Sequence, residues 1–85
     1  MEGLEEKIRD VLTARFPGAE LEYEEPYDEK LGGFLIWDGF EEEEIIDRLT
    51  QVWDTLRAHF HQDDLRRISF IFAVTPDELL AMRED

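Results

Sequence analysis

From Gly33 to Phe60 the spacing of apolar residues changes period once, and that change fixes more of the fold than any other stretch. Phe34-Leu35-Ile36-Trp37 is a continuous apolar run after paired glycines, which reads as a short strand with cover on both faces. Because all four residues are apolar, a period of two does not say which pair faces the core. Asp38-Gly39-Phe40-Glu41 reads as a helix start, Asp38 capping free backbone N–H groups and Glu41 answering it three residues later. Glu41 to Glu44 then fall in the first turns, where the positive end of the helix dipole favours acids. Ile45, Ile46, Leu49, Val52, Trp53, Leu56 and Phe60 recur at intervals of three and four, predicting a core-facing helix.

The remaining elements fit around this unit. Leu4, Ile8, Val11, Leu12 and Phe16 predict an amphipathic helix over residues 3–16, stopped by Pro17 and Gly18. Residues 19–25 alternate, with Ala19, Leu21 and Tyr23 on one side and Glu20, Glu22 and Glu24 on the other, the pattern of a strand with one wet, acidic face. Pro26 to Gly33 reads as an eight-residue hairpin loop. Residues 67–75 predict a third strand, with Ile68, Phe70, Phe72 and Val74 opposite Ser69, Ile71 and Ala73. Thr75-Pro76-Asp77-Glu78 combines a cap, a proline at the first helical position and a glutamate at the third, and so opens a final helix.

The order is helix, strand, strand, helix, strand, helix. A crossover helix lays the third strand parallel to the second. The expected architecture is a single α+β domain over residues 1–85, a two-layer αββαβα arrangement with a three-stranded mixed sheet and helices mainly on one face.

The chain resembles the BolA-like family, whose fold is related to the type II KH domain. The resemblance runs over nearly the whole length: the short first helix, the strand-loop-strand ending in Asp38-Gly39-Phe40, and the helix carrying Arg48, Val52, Trp53 and Leu56. Thr75 and Glu78 fit the family's Thr-x-x-Glu pattern. Two departures bear on function. Arg48-Leu49-Thr50 stands where family members usually carry Arg-His-Arg, and Phe72 stands where they place a histidine that, with a partner glutaredoxin, ligates an iron–sulfur cluster. Trp37 stands where the family tends to have a small polar residue. A phenyl ring has no lone pair for iron, and the hairpin loop offers neither Cys nor His. The resemblance therefore implies the fold and not the cluster chemistry, and no cofactor is expected.

Composition narrows the functions. Twenty-three acids against nine bases give a formal net charge of −14, which opposes phosphate backbones at long range and disfavours nucleic-acid binding. There is no cysteine, hence no disulfide framework or thiolate metal site. No apolar run spans a membrane and no signal-peptide pattern precedes Leu4, so a cytoplasmic protein is expected. Ser69 is the only serine, no glycine-rich phosphate loop occurs, and no nucleophile stands beside a base, so no catalytic residues are assigned. His59 and His61 with Asp63 and Asp64 hold metal-ligating groups, but residues two apart diverge on a helix and no metal site is assigned.

The leading expectation is a non-catalytic module that binds a protein partner or itself through an open sheet face. With the helices on the other side, that face is expected to present Leu35, Trp37 and Ile71, with Ala73 beside them and Glu20, Glu22 and Glu24 as a charged margin. The alternative is an acidic inhibitor, an immunity protein or a nucleic-acid mimic that masks a basic surface on its partner.

Overall fold

Leu4, Ile8 and Leu12 lie on a first helix, α1 (Glu2–Arg15), and Phe16 follows it. All four are buried, as their helical spacing requires. The structure, a computed structural model, describes residues 2–24 and 30–84. Gly18 at φ 91° turns the chain in the left-handed region, where a residue without Cβ is unstrained. Strand β1 (Glu20–Tyr23) keeps the predicted alternation, Leu21 buried between exposed Glu20 and Glu22.

Strand β2 (Leu31–Ile36) begins earlier than the apolar run indicated. Leu31, Gly32 and Gly33 were expected in the hairpin loop and instead form strand, while residues 26–29 of that loop lie outside the described residues. The glycines serve close approach. A Cβ on Gly33 would run into the Glu22 carbonyl oxygen of β1, and one on Gly32 into the Phe70 ring. β2 pairs antiparallel with β1 and parallel with β3 (Ile68–Val74), giving the expected mixed sheet in the order β1-β2-β3.

The crossover helix, α2 (Ile45–His59), starts later than expected. Asp38–Phe40 forms one 3-10 turn without a side-chain cap, held by Glu41 N–H donating to the Asp38 carbonyl at 3.1 Å. This turn drops Phe40 into the core, its ring 5.3 Å from Phe16 and 5.1 Å from Trp37. Glu41 to Glu44 therefore precede the helix, Glu44 standing at its N-cap without a side-chain cap bond. The stripe is rephased as well: Ile45 and Ile46 are exposed, and Arg48, Val52 and Leu56 form the buried line at four-residue spacing.

A short helix α3 (Gln62–Leu65) leads into β3, and α4 (Pro76–Arg83) follows. Its start is as predicted: the Thr75 hydroxyl accepts from Glu78 N–H at 3.1 Å, and Glu78 Oε1 accepts from Thr75 N–H at 2.9 Å. Helices α1 and α2 cover one sheet face, burying Leu21, Leu35, Ile71 and Ala73 among Ile8, Leu12, Val52 and Leu56. Leu79 of α4 packs against Ile36 and Val74, at one end of the opposite face. The α+β arrangement with helices mainly on one face is thus realised.

The facing of β2 and β3 is the reverse of the expectation. Leu35 is 0% and Ile71 4% exposed, so both belong to the helix-covered core and not to an open face. Trp37 is half-buried with them. Its ring lies 5.2 Å from Phe16, and its indole N–H donates to the Pro17 carbonyl at 2.8 Å. On β3 there is also a break in register: Leu31 pairs with Ile68 and Gly32 with Phe70, leaving Ser69 without a register partner. Beyond that bulge Ile71 and Ala73 turn inward and Phe70 and Phe72 outward, although Ile68 also faces in.

Candidate functional site

The residues turned outward by this register make an aromatic corner. Phe34 of β2 stands beside Phe72 of β3, their register partner, with ring centroids 5.5 Å apart. Phe70 lies 5.0 Å from Phe72 on the same strand. Two residues apart on one strand share a face, and the absence of a side chain at Gly32 gives the Phe70 ring its room. Phe72 is 46% exposed, a large apolar surface for a strand residue with a ring on either side. Glu20 and Glu22 occupy the same face on β1, and Glu22 accepts an ion-pair contact from Arg83 of α4 at 2.5 Å.

Phe72 also borders a groove of about 440 Å³ between α2, the edge of β3 and α4. Ile45, Leu49, Phe72, Ala81 and Met82 supply its apolar lining. Ile45 and Met82 are 64% and 54% exposed. Ile45 stands four residues before Leu49, so the stripe that fills the core farther along α2 borders this groove at its first turns.

Arg48 and Glu78 are the charged residues of the lining. Arg48 is 4% exposed, yet its guanidinium makes four hydrogen bonds. Nε donates to the Glu43 carbonyl at 2.9 Å, Nη1 to the Ala73 carbonyl at 3.1 Å, and Nη1 and Nη2 to the Glu78 carboxylate at 2.6 and 3.1 Å. A buried guanidinium is tolerable only when paired in this manner. The bond from Arg48, with a second from the Thr75 N–H, holds the Glu78 carboxyl below its ordinary range. Burial pushes the Tyr23 hydroxyl up to about 12; it donates to the Glu5 carbonyl at 2.6 Å under α1.

Of the residues the sequence pointed to, Glu20, Glu22 and Glu24 are exposed and Leu35, Trp37 and Ile71 are withdrawn into or against the core. The aromatic corner and Ile45, Leu49 and Met82 were not singled out for binding. For Phe34, Phe70 and Phe72 the signal is the apolar character of both faces of β2 and β3, which exceeds what one core needs. Arg48 carried a signal too, since it sits in phase with Val52 and Leu56.

The iron–sulfur cluster associated with BolA-like proteins does not fit the residues at this corner. Phe72 offers a phenyl ring stacked on two others, and the sequence holds no cysteine. Of the two histidines, His59 ends α2 and its Nδ1–H donates to the Thr55 carbonyl at 2.9 Å, whereas His61 precedes α3. Among the described residues no three His, Cys, Asp or Glu side chains are grouped to hold a metal ion. Nor is any described helix long and apolar enough to cross a membrane.

No protein-family model matches the sequence, and no curated protein does. Solved structures do match. BolA1 from Arabidopsis thaliana shares the fold at a TM-score of 0.64 and 23% identity, over 88% of this chain and 94% of that one. A bol-like protein from Babesia bovis does so at a TM-score of 0.53 and 14% identity, over 91% of this chain and 90% of that one. The fold is BolA-like, as the resemblance of Asp38-Gly39-Phe40, Arg48 and Thr75-Glu78 implied.

Proposed function

We propose that this chain is a non-catalytic protein-interaction module that docks a protein partner at the corner where the open sheet face meets the groove between α2 and α4. The observation that carries this reading is the exposure of Phe72 at 46%, continuous with exposed Ile45 and Met82. An aromatic and aliphatic centre with Glu20, Glu22 and Glu24 beside it has the make-up of an interface core with a charged margin. A folded monomer seldom leaves such residues contiguous without a use for them. A cytoplasmic site of action belongs to the same reading, supported by a sequence without cysteine.

The test is affinity purification from the native cell with wild type and Phe72→Ser, combined with sedimentation velocity. Loss of a partner, or of self-association, in the variant alone is the expected result. Equal recovery of the same proteins and an unchanged sedimentation profile would refute the site. A second reading, an acidic antagonist of a basic surface, is supported by the exposure of Glu41, Glu42 and Glu44 together with Glu20 and Glu22. Repeating the capture at rising salt separates the two, because a charge-led contact weakens steeply and an apolar one does not.

A further inference from the structure

We infer that the groove between α2 and α4 takes a basic amphipathic helix from the partner, with apolar side chains seated against Leu49, Phe72 and Met82 and lysines or arginines along its rim. This rests on the reading of the chain as an interaction module and names the chemistry of what it binds. Three observations select the occupant.

The first is charge. Exposed Glu44 precedes Ile45 at the start of α2, and exposed Asp77 precedes Glu78 in the first turn of α4, the helix starts that contribute lining residues. The bases beside the groove are already engaged, Arg48 by Glu78 and Arg83 by Glu22. An apolar trough on a chain of net charge −14, with acids at these two helix starts and its nearby cations occupied, complements a segment whose apolar face is bordered by positive charge. A second copy of this chain would bring the same acids against each other, so self-docking at this groove is disfavoured by the net charge of −14.

The second is backbone chemistry. β3 is an edge strand, and an added strand would need its free carbonyls. The Ala73 carbonyl, at the groove, is already taken by Arg48 Nη1 at 3.1 Å. Strand addition there would have to share or displace that bond, which disfavours it where the apolar lining is richest. The third is shape: the trough runs between two helices over a sheet edge, and its volume of about 440 Å³ accommodates a few side chains and not a folded surface. Helices that dock in grooves do so through anchors at intervals of three and four residues, which matches a short apolar trough.

The experiment uses the full chain and a fluorescein-labelled synthetic peptide of about four helical turns. The peptide carries leucines at helical spacing on one face and lysines on the other. Fluorescence anisotropy compares it with a scrambled peptide of identical composition and with an analogue carrying glutamate for every lysine. The expected result is binding about tenfold tighter than either control. Ile45→Ser with Met82→Ser, both exposed positions that the fold does not depend on, removes that advantage, and Ile46→Ser, exposed but outside the lining, leaves it unchanged. Equal binding of the scrambled peptide, equal binding of the acidic analogue, or indifference to the double substitution would each overturn the inference. Native-cell capture with the same double variant separates the two levels. If the peptides show no order of preference while the double substitution still strips a partner, the occupant has another chemistry and the module reading stands. If neither responds, both fall.

Discussion

Arg48 on α2 donates two parallel hydrogen bonds to Glu78 on α4, at 2.6 and 3.1 Å, across thirty positions of sequence. The same guanidinium holds the Ala73 carbonyl at the end of β3 and the Glu43 carbonyl before α2, and the same carboxylate caps α4 through the Thr75 N–H. One side-chain pair therefore ties together the crossover helix, the edge strand and the last helix, and lines the groove between them.

Arg48→Ala removes four hydrogen bonds at once and leaves two backbone carbonyls without their donor. Breaking a buried pair from one side costs about 3 to 5 kcal/mol, and because the Glu78 side chain is 45% exposed the expected loss is nearer 2 to 3 kcal/mol. Urea unfolding followed by Trp fluorescence measures it. A loss below about 0.5 kcal/mol, the level of an ordinary surface change, would show that the network is not structural.

The same pair sets an acid dependence. Glu78 titrates below its ordinary 4.5 in the folded state, its bond from Arg48 being the largest cause. A depressed carboxyl stabilises the fold above the unfolded value and loses that contribution as pH falls through the folded value. The stability gap between wild type and Glu78→Gln is therefore full at neutral pH and narrows on acidification below 4.5. Urea midpoints for both proteins from neutral pH downward test this; a gap that widens toward acid contradicts it.

Tyr23 carries the opposite, alkaline dependence. Burial raises its hydroxyl from 10.0 to about 12. The folded state holds that proton more tightly than the unfolded chain, so the stabilisation is complete below 10.0 and is lost as pH rises through about 12. In a Tyr27→Phe background, where Tyr23 is the remaining tyrosine, ultraviolet titration should place its midpoint near 12, and Tyr23→Phe should cost about 1 kcal/mol for the lost bond to Glu5. A midpoint at 10.0 would mean that the hydroxyl is not buried under α1.

Gly32 and Gly33 should differ although they are neighbours. An added methyl on Gly33 meets the β1 backbone, which cannot step aside, whereas on Gly32 it meets the Phe70 ring. Overpacking of this kind costs about 1 to 3 kcal/mol. Gly33→Ala is expected at the upper end or beyond. Phe70→Ala should relieve Gly32→Ala and do nothing for Gly33→Ala in a double-mutant cycle measured by thermal unfolding. Equal relief of both would place the Phe70 ring elsewhere.

Trp37→Ala is expected to act on stability. Its edge contacts with Phe16 and Phe40 and its N–H bond to Pro17 place the indole within the fold. A loss of about 2 to 4 kcal/mol, somewhat reduced from a fully buried aromatic, should appear in urea unfolding with no new oligomer in sedimentation. A variant as stable as wild type would reopen Trp37 as a surface residue.

Much of the fold is fixed by local rules that need no partner from afar. The spacing of Leu4, Ile8 and Leu12 is enough for α1, the alternation from Ala19 to Tyr23 for β1, and Thr75-Pro76-Asp77-Glu78 for the start of α4, because caps and periods act within a few residues. The order of elements then dictates the parallel pairing of β2 with β3. Which face of those strands meets the helices is a different kind of fact. When both faces are apolar, alternation carries no sign, so no local pattern says that Leu35 goes in; on β3 the extra residue Ser69 shifts the count by one, so that Ile71 goes in with Ile68 and Phe72 comes out. Arg48 is in phase with the buried Val52 and Leu56, but that phase alone does not bury it, since a guanidinium enters a core only where Ala73 and Glu78, distant along the chain, have been brought to it. Sequence alone thus determined the three strands, the three longer helices and their order, though not the 3-10 turn at Asp38–Phe40 or the short α3; tertiary packing decided the exposed surface, and with it the candidate site, because facing is settled by register and by long-range partners that no local pattern contains.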